Sequence, residues 1–333
     1  MDMSFDAVYY EPAALNYELG QMLQEKYSAL PWIEIENHNH IPELAASENR
    51  DFTKLKNHLI IGTRKTHKYV PNHKVSDWLV PYTSSGCRAM CLYCYLVCNY
   101  NKCSYLRLFV NREQMLDKLL KKAAAAPMPQ TFEIGSNSDL LLENTITDNL
   151  IYTIQRFAQE GRGHLTFPTK FDMVDPLLGL DHKGKIIFRM SINPEEIIQR
   201  IELGTSPLPA RIHALNEMAE AGYPVGILLA PIILLPDWKQ LYGRLIEQLS
   251  DELSPKVKQN GFIEIILMTY SFIQNAINTD AFPNSTKLLN RETMTGRGRG
   301  KYCYRNEVRQ EAEAFLQQQL SQQLANMTIL YIS

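Results

Sequence analysis

The sequence predicts an α/β fold: a partial (β/α)6 barrel with an N-terminal α/β extension and a C-terminal hairpin and helix. Three observations lead there. Apolar, strand-like runs alternate with helix-like segments about six times between residues 77 and 269, which implies parallel strands joined by right-handed crossovers. At 333 residues the chain is long enough for one large α/β unit with additions at both ends. A cysteine-rich loop follows the first run of this series, and parallel α/β sheets carry their active groups at the C-terminal ends of strands. A doubly wound open sheet is the alternative, because periodicity does not show closure.

Residues 8–10 read as a short strand and 12–27 as a helix with Pro12 near its start. Residues 32–36 alternate and 58–62 form a compact apolar run, so both are expected as strands. Together they make an extension over residues 1–70. The following basic cluster, Arg64, Lys65, His67 and Lys68, reads as a solvated face. Over 71–280, strands are expected at 77–82, 131–134, 165–167, 185–192, 223–233 and 262–269. Helices are expected at 112–126, 147–159, 194–203, 209–221 and 238–249. The remainder, 281–333, breaks the alternation. It holds a glycine-punctuated turn at 296–300, a Gln-rich amphipathic helix at 306–325 and a closing strand at 328–332.

Charge narrows the partners. Lys and Arg number 34 against 36 Asp and Glu, so the molecule as a whole is no polycation. Basic density is local instead: Lys287, Arg291, Arg297, Arg299, Lys301, Arg305 and Arg309 face only Glu292 and Glu307 between 287 and 309. Arginine interleaved with tyrosine suits phosphate contact and base stacking. The candidates for DNA contact are Arg297, Arg299, Lys301, Tyr302, Tyr304 and Arg305. The first ten residues hold acids and no basic stretch, unlike a secretory signal, and the longest apolar run, 225–235, is interrupted by Pro231. No membrane partner is therefore expected. Of the 6 cysteines, all but Cys303 crowd into residues 87–103, which is no disulfide framework and points to a reducing cytoplasm.

That crowding carries the chemistry. Cys87, Cys91 and Cys94 stand in a C-x3-C-x2-C spacing after Gly86. Thiolates so close on one loop can converge on one metal centre, and three of them on a four-iron cluster leave one iron open. A structural zinc ion with Cys98 or Cys103 as fourth ligand is the rival reading. The spacing, with Tyr93 before the third cysteine, resembles the signature of radical S-adenosylmethionine (SAM) enzymes.

A closer resemblance extends over nearly the whole chain. It rests on Tyr9-Tyr10-Glu11-Pro12 with Ala14-Leu15-Asn16-Tyr17, the cysteine loop through Leu96, and Tyr105-Leu106-Arg107 with Val110-Asn111. Phe132-Glu133, Ser138-Asp139, Thr169-Lys170-Phe171, Phe188 to Asn193, residues 226–231 and Gly300 to Arg305 complete it. In this order and spacing the chain resembles the spore photoproduct lyases, a radical SAM family of DNA-repair enzymes. The resemblance implies a partial TIM-like barrel, a [4Fe-4S] cluster on Cys87, Cys91 and Cys94, and SAM bound among Ser138, Lys170, Ser191 and Ala230. It implies a substrate, DNA carrying a methylene-bridged thymine dimer, that a 5′-deoxyadenosyl radical opens to two thymines. It also implies an electron donor such as a flavodoxin or ferredoxin, tyrosines at 93 and 95 that help to return the hydrogen, and a basic hairpin that holds the opened duplex.

One departure stands out. The family pattern has a cysteine four residues after the Phe of Phe-Glu, where it gives hydrogen to the thymine radical; here Ser136 holds the place. A serine O–H bond is much stronger than a thiol S–H bond, so Ser136 does not quench a carbon radical at a comparable rate. Three readings follow: an engineered substitution, another donor, or a paralogue with different chemistry. Cys98, four residues after Cys94, is the best alternative donor, with Tyr93 or Tyr95 relaying.

Overall fold

The computed structural model describes residues 4–98 and 105–333, so Cys103 lies outside the described residues. An 8-stranded sheet forms the body. Its spatial order is Thr328–Ile332, Phe262–Leu267, Val225–Ile232, Ile186–Ser191, His164–Thr169, Thr131–Ile134, Trp78–Val80 and Val70–Pro71. All neighbours run parallel except the pair at the Val70–Pro71 edge. From Trp78–Val80 to Phe262–Leu267 the strands lie side by side in chain order. A doubly wound sheet would reverse that order at a switch point, so the barrel reading holds. The barrel is partial: no strand pairing joins Val70–Pro71 to Thr328–Ile332 among the described residues. The two margins nevertheless approach. Lys74 donates to Ser333 Oγ at 2.8 Å, and its Nζ lies 4.9 Å from the Tyr331 ring centroid.

Helices cover the outer face with one apolar stripe each, as buried parallel strands require. Arg112–Ala125 buries Met115, Leu116, Leu119 and Ala123; Asn149–Glu160 buries Leu150, Ile154 and Phe157. These meet strand residues sealed on both sides, among them Phe132, Leu165, Phe167, Phe188 and Ile227. Core burial at this scale is the main source of stability.

A second, 5-stranded sheet has the order Trp32–Glu34, Ala7–Tyr10, His58–Gly62, Leu106–Phe109 and Ser84–Ser85. The N-terminal strands thus recruit two partners from either side of the cysteine loop. The helix expected at 12–27 is divided into a 3-10 turn, Pro12–Asn16, and an α-helix, Glu18–Lys26, with Tyr17 extended between them. Gly20 allows the fold-back, since a Cβ there would stand 2.0 Å from the Ala14 carbonyl oxygen.

The third sheet is small. Met294–Gly296 and Lys301–Tyr304 form a hairpin, and Thr269–Ser271 adds a strand antiparallel to the second of these. At its tip Gly298, Arg299 and Gly300 have φ of 84°, 52° and 69°. Two glycines therefore share a left-handed turn that leaves Arg299 projecting. The helix Asn306–Gln323 then packs Ala312, Leu316 and Leu320 inward. Phe272–Ala281 is a helix that the strand–helix alternation did not announce; Ser271 and Gln274 close its N-terminus as a reciprocal capping box.

Candidate active site

A cavity of about 610 Å³ opens at the C-terminal ends of the barrel strands, and Cys87, Cys91 and Cys94 all line it. Their loop is pinned from several directions. Gly86, at φ 81°, donates to the Asn137 carbonyl at 2.7 Å. Lys56 Nζ donates to the Cys87 carbonyl at 2.5 Å, and Leu92 N–H to Ile201 at 2.9 Å. Met90–Cys91 pairs antiparallel with Glu202–Leu203. From the helix Phe272–Ala281, Asn278 donates to the Leu92 carbonyl at 2.6 Å and Gln274 to that of Tyr93.

Burial, reinforced by Asp139, pushes the Cys87 thiol up to about 12. Burial, then Glu202, pushes the Cys91 thiol up as well. Without a metal, the thiols of Cys87 and Cys91 hold their protons; a positively charged metal centre would be needed to displace them. Among the described residues no three His, Cys, Asp or Glu side chains are grouped to hold a single ion. A tetrahedral zinc needs such a convergence, whereas a four-iron cluster takes each thiolate on a separate iron. Three soft sulfur donors on one wall, with no fourth cysteine lining the cavity among the described residues, fit the cluster.

Beside the loop stands a cation held in place. Lys170, just past the strand His164–Thr169, donates to Ser191 Oγ and, at 3.1 Å, to the Ala230 carbonyl. Its Nζ also lies 3.1 Å from Glu202 Oε1 and 5.7 Å from the Tyr93 ring centroid. Glu202 is the hub: its carboxylate also accepts from the Tyr93 hydroxyl and from Asn193 at 2.8 Å, and it forms an ion pair with Arg211 at 2.7 Å. Burial raises the Glu202 carboxyl, but Lys170 and Arg211 outweigh it and bring it down to about 2. Arg211 is itself fully buried and donates to the Ser191 and Ser206 carbonyls. A rigid line thus runs from the helix Leu208–Glu220 through Glu202 to the loop tyrosine and the lysine.

After the strand Thr131–Ile134 the backbone turns at Gly135, φ +87°, where a Cβ would press to 3.0 Å from Leu140 Cγ. This turn presents Ser136 and Ser138 to the cavity. Ser138 Oγ lies 2.7 Å from Ser84 Oγ, and Ser84 donates to buried Glu143 at 2.5 Å. Asp139 caps the next helix through the Leu141 and Leu142 amides and also accepts from Thr169 and the Lys170 amide. Sequence reasoning missed Glu202, Arg211 and Glu143. A readable signal existed for Arg211, a charge on the apolar face made by Leu208, Ile212 and Leu215.

Tyr93, Tyr95, Ser136, Ser138, Lys170, Ser191 and Ala230 all line the cavity with the three cysteines. Tyr95 is half exposed and donates its hydroxyl to the Ser136 carbonyl. Cys98 does not belong to the lining. It ends the 3-10 turn Tyr95–Cys98, its Sγ lies 3.1 Å from Ser271 Oγ, and it packs with Phe52, Val97 and Ile277 beneath the loop. The expected alternative thiol donor is therefore turned away from the cavity. Arg297, Arg299 and Lys301 are exposed on the hairpin and Tyr302 is half-buried. Tyr304, expected among the DNA-facing residues, is instead buried; its hydroxyl accepts from the Leu234 amide at 2.9 Å, which fixes the hairpin to the barrel. Arg305 donates to the Glu292 and Arg291 carbonyls and buttresses the hairpin base.

Residues 3–333 match the family model described as spore photoproduct lyase. The spore photoproduct lyase of Bacillus subtilis (strain 168) is 34% identical over 335 residues, covering 98% of this chain and 97% of the relative. That of Geobacillus sp. (strain Y412MC61) is 30% identical over 98% of both. A solved structure of a spore photoproduct lyase complexed with dinucleoside spore photoproduct superposes with a TM-score of 0.92 at 28% identity, over 100% of both chains. A doubly substituted spore photoproduct lyase with bound AdoMet and dinucleoside spore photoproduct gives 0.91 at 28% identity over 99% of both. The family-model match over residues 3–333, the full-length relatives at 34% and 30% identity and the full-length superposition agree, and the chain belongs to the spore photoproduct lyase family.

Proposed function

We propose that this chain reverts spore photoproduct in DNA to two thymines; Cys87, Cys91 and Cys94 would hold a [4Fe-4S] cluster, and Ser138, Lys170, Ser191 and Ala230 would hold SAM. The carrying observation is the meeting of three loop thiols and the Lys170–Glu202–Tyr93 assembly in one cavity at the strand ends. When bound, the cluster and SAM supply a carbon-centred radical strong enough to take hydrogen from the lesion. The chain's own residues position and insulate. Lys170, tied to Ser191 and the Ala230 carbonyl, offers a fixed positive charge to a carboxylate-bearing ligand. Ser138, backed by Ser84 and Glu143, offers a hydroxyl from the adjoining turn.

Ser136 occupies the hydrogen-return position with a hydroxyl unsuited to it. Tyr95, whose phenol reaches the Ser136 backbone, and Tyr93, half-buried and bonded to Glu202, are the phenols on the cysteine loop that serve the return instead. The projecting Arg299, with Arg297 and Lys301, would hold duplex DNA by its phosphates while the lesion is extruded toward the cavity. The reading includes a small electron carrier, a flavodoxin or ferredoxin, and a cytoplasmic setting, supported by the clustered cysteines. Among the described residues no helix is long and apolar enough to cross a membrane. Residues 1–70, 71–280 and 281–333 then serve as extension, catalytic barrel and DNA-holding segment.

Anaerobic reconstitution tests this. About four irons and four sulfides per chain are expected, with conversion of dinucleoside spore photoproduct to thymidines, and Cys91→Ala should lose the iron. Retention of zinc in place of iron, or iron-loaded protein that leaves the dinucleoside intact, overturns the proposal.

A further inference from the structure

Large apolar side chains rarely stand in water at the start of a helix without a partner to meet. Phe272 is 57% exposed and Ile273 44%, and they are the first two residues of the helix Phe272–Ala281. The mounting is rigid. Ser271 and Gln274 cap that end reciprocally, and Gln274 reaches on to the Tyr93 carbonyl of the cysteine loop. The Phe272 amide donates to the Gly300 carbonyl at 2.9 Å, and Ser271 pairs in register with Lys301. The pair therefore sits at the root of the hairpin whose tip carries Arg297 and Arg299. Tyr95, 53% exposed, opens the turn whose last residue, Cys98, touches Ser271. Thr269, three residues before Phe272, lines the cavity. An apolar edge thus lies between a basic tip and the cavity, and the first turn of its helix holds no acid.

We propose that Phe272 and Ile273 form a wedge that fills the gap left in duplex DNA when the lesion is extruded, lying against the bases that flank it. The inference rests on the lyase reading above and extends it to a surface outside the cavity. Charge selects the occupant: cations beside an apolar edge attract a polyanion that also offers unstacked base faces. An extruded lesion leaves such faces uncovered, and an apolar side chain that covers them lowers the cost of opening the helix.

The test compares parent, the double variant Phe272→Ala with Ile273→Ala, and Phe272→Trp on two substrates: dinucleoside spore photoproduct, and the same lesion within a duplex carrying 2-aminopurine beside it. The double variant should keep parental turnover of the dinucleoside. On the duplex its kcat/KM should fall roughly tenfold and the 2-aminopurine unstacking signal should disappear. Phe272→Trp, which keeps a large apolar side chain, should retain both. Equal losses on the two substrates, no loss on either, or slowing confined to reduction by a flavodoxin would each overturn the wedge, the last by assigning the surface to a protein partner. If the parent fails on the dinucleoside, the lyase reading falls instead, and the binding-induced 2-aminopurine signal still judges the wedge separately.

Discussion

At position 136 one atom sets the expected outcome of the reaction. The backbone around Ser136 is shaped as a turn that faces the cavity, and Tyr95 is anchored to its carbonyl. Ser136→Cys places a weak S–H bond there with little change in volume. It should raise the share of intact thymine product and cut adducts formed when the product radical meets external reductant. Product analysis by liquid chromatography reads this directly. Cys98→Ala should leave the same ratio unchanged, because that thiol faces Ser271. The three cysteines that border the cavity were legible because their spacing is local in sequence. Glu202 and Arg211 were not, because they act on residues far along the chain: Tyr93 is 109 positions from Glu202. Only the folded sheet brings such pairs together, and a buried ion pair leaves little trace in a one-dimensional pattern. Tyr304 misled for a related reason: its neighbours are basic, yet its strand turns it inward to Leu234.

Among elements, the proposed contact with DNA falls to the hairpin and the helix beside it. If Arg297 and Arg299 each neutralise a phosphate, replacing both by alanine lowers the slope of log affinity against log salt by roughly two. Filter binding or fluorescence anisotropy across a salt series checks this; an unchanged slope would remove the tip from the interface. The barrel strands were readable because they are buried on both faces and appear as continuous apolar runs. The helix Phe272–Ala281 was hidden because its exposed start is apolar and its body is short, although Ser271 and Gln274 wrote a capping box into the sequence. The division of the first helix at Tyr17 follows from a close backbone approach at Gly20, a tertiary contact that propensity does not encode.

For the whole molecule, Glu202 and Glu11 contribute stability that acid removes. Burial raises both, but the Lys170 and Arg211 charges bring Glu202 to about 2, and His38 with the Thr63 amide brings Glu11 to about 2, against an ordinary 4.5. Between those values the unfolded chain binds more protons than the folded one. The stabilisation is therefore complete above pH 4.5 and drains away as the pH falls toward 2. The expected loss is roughly 1.4 kcal/mol per pH unit for each carboxylate, visible as a falling Tm in calorimetry. A Tm that stays level down to pH 3 would contradict the assignment.

The barrel's margins raise a different matter. Where Val70–Pro71 faces Thr328–Ile332, no ladder is stitched among the described residues, and Lys74 reaches across as a clasp to Ser333 and the face of Tyr331. Parting a laddered seam breaks a row of amide bonds together; parting this one gives up a side-chain hydrogen bond of about 1 kcal/mol and a ring contact. Lys74 and Tyr331 both border the cavity. A stretch of the cavity wall is therefore closed by side chains and not by backbone pairing.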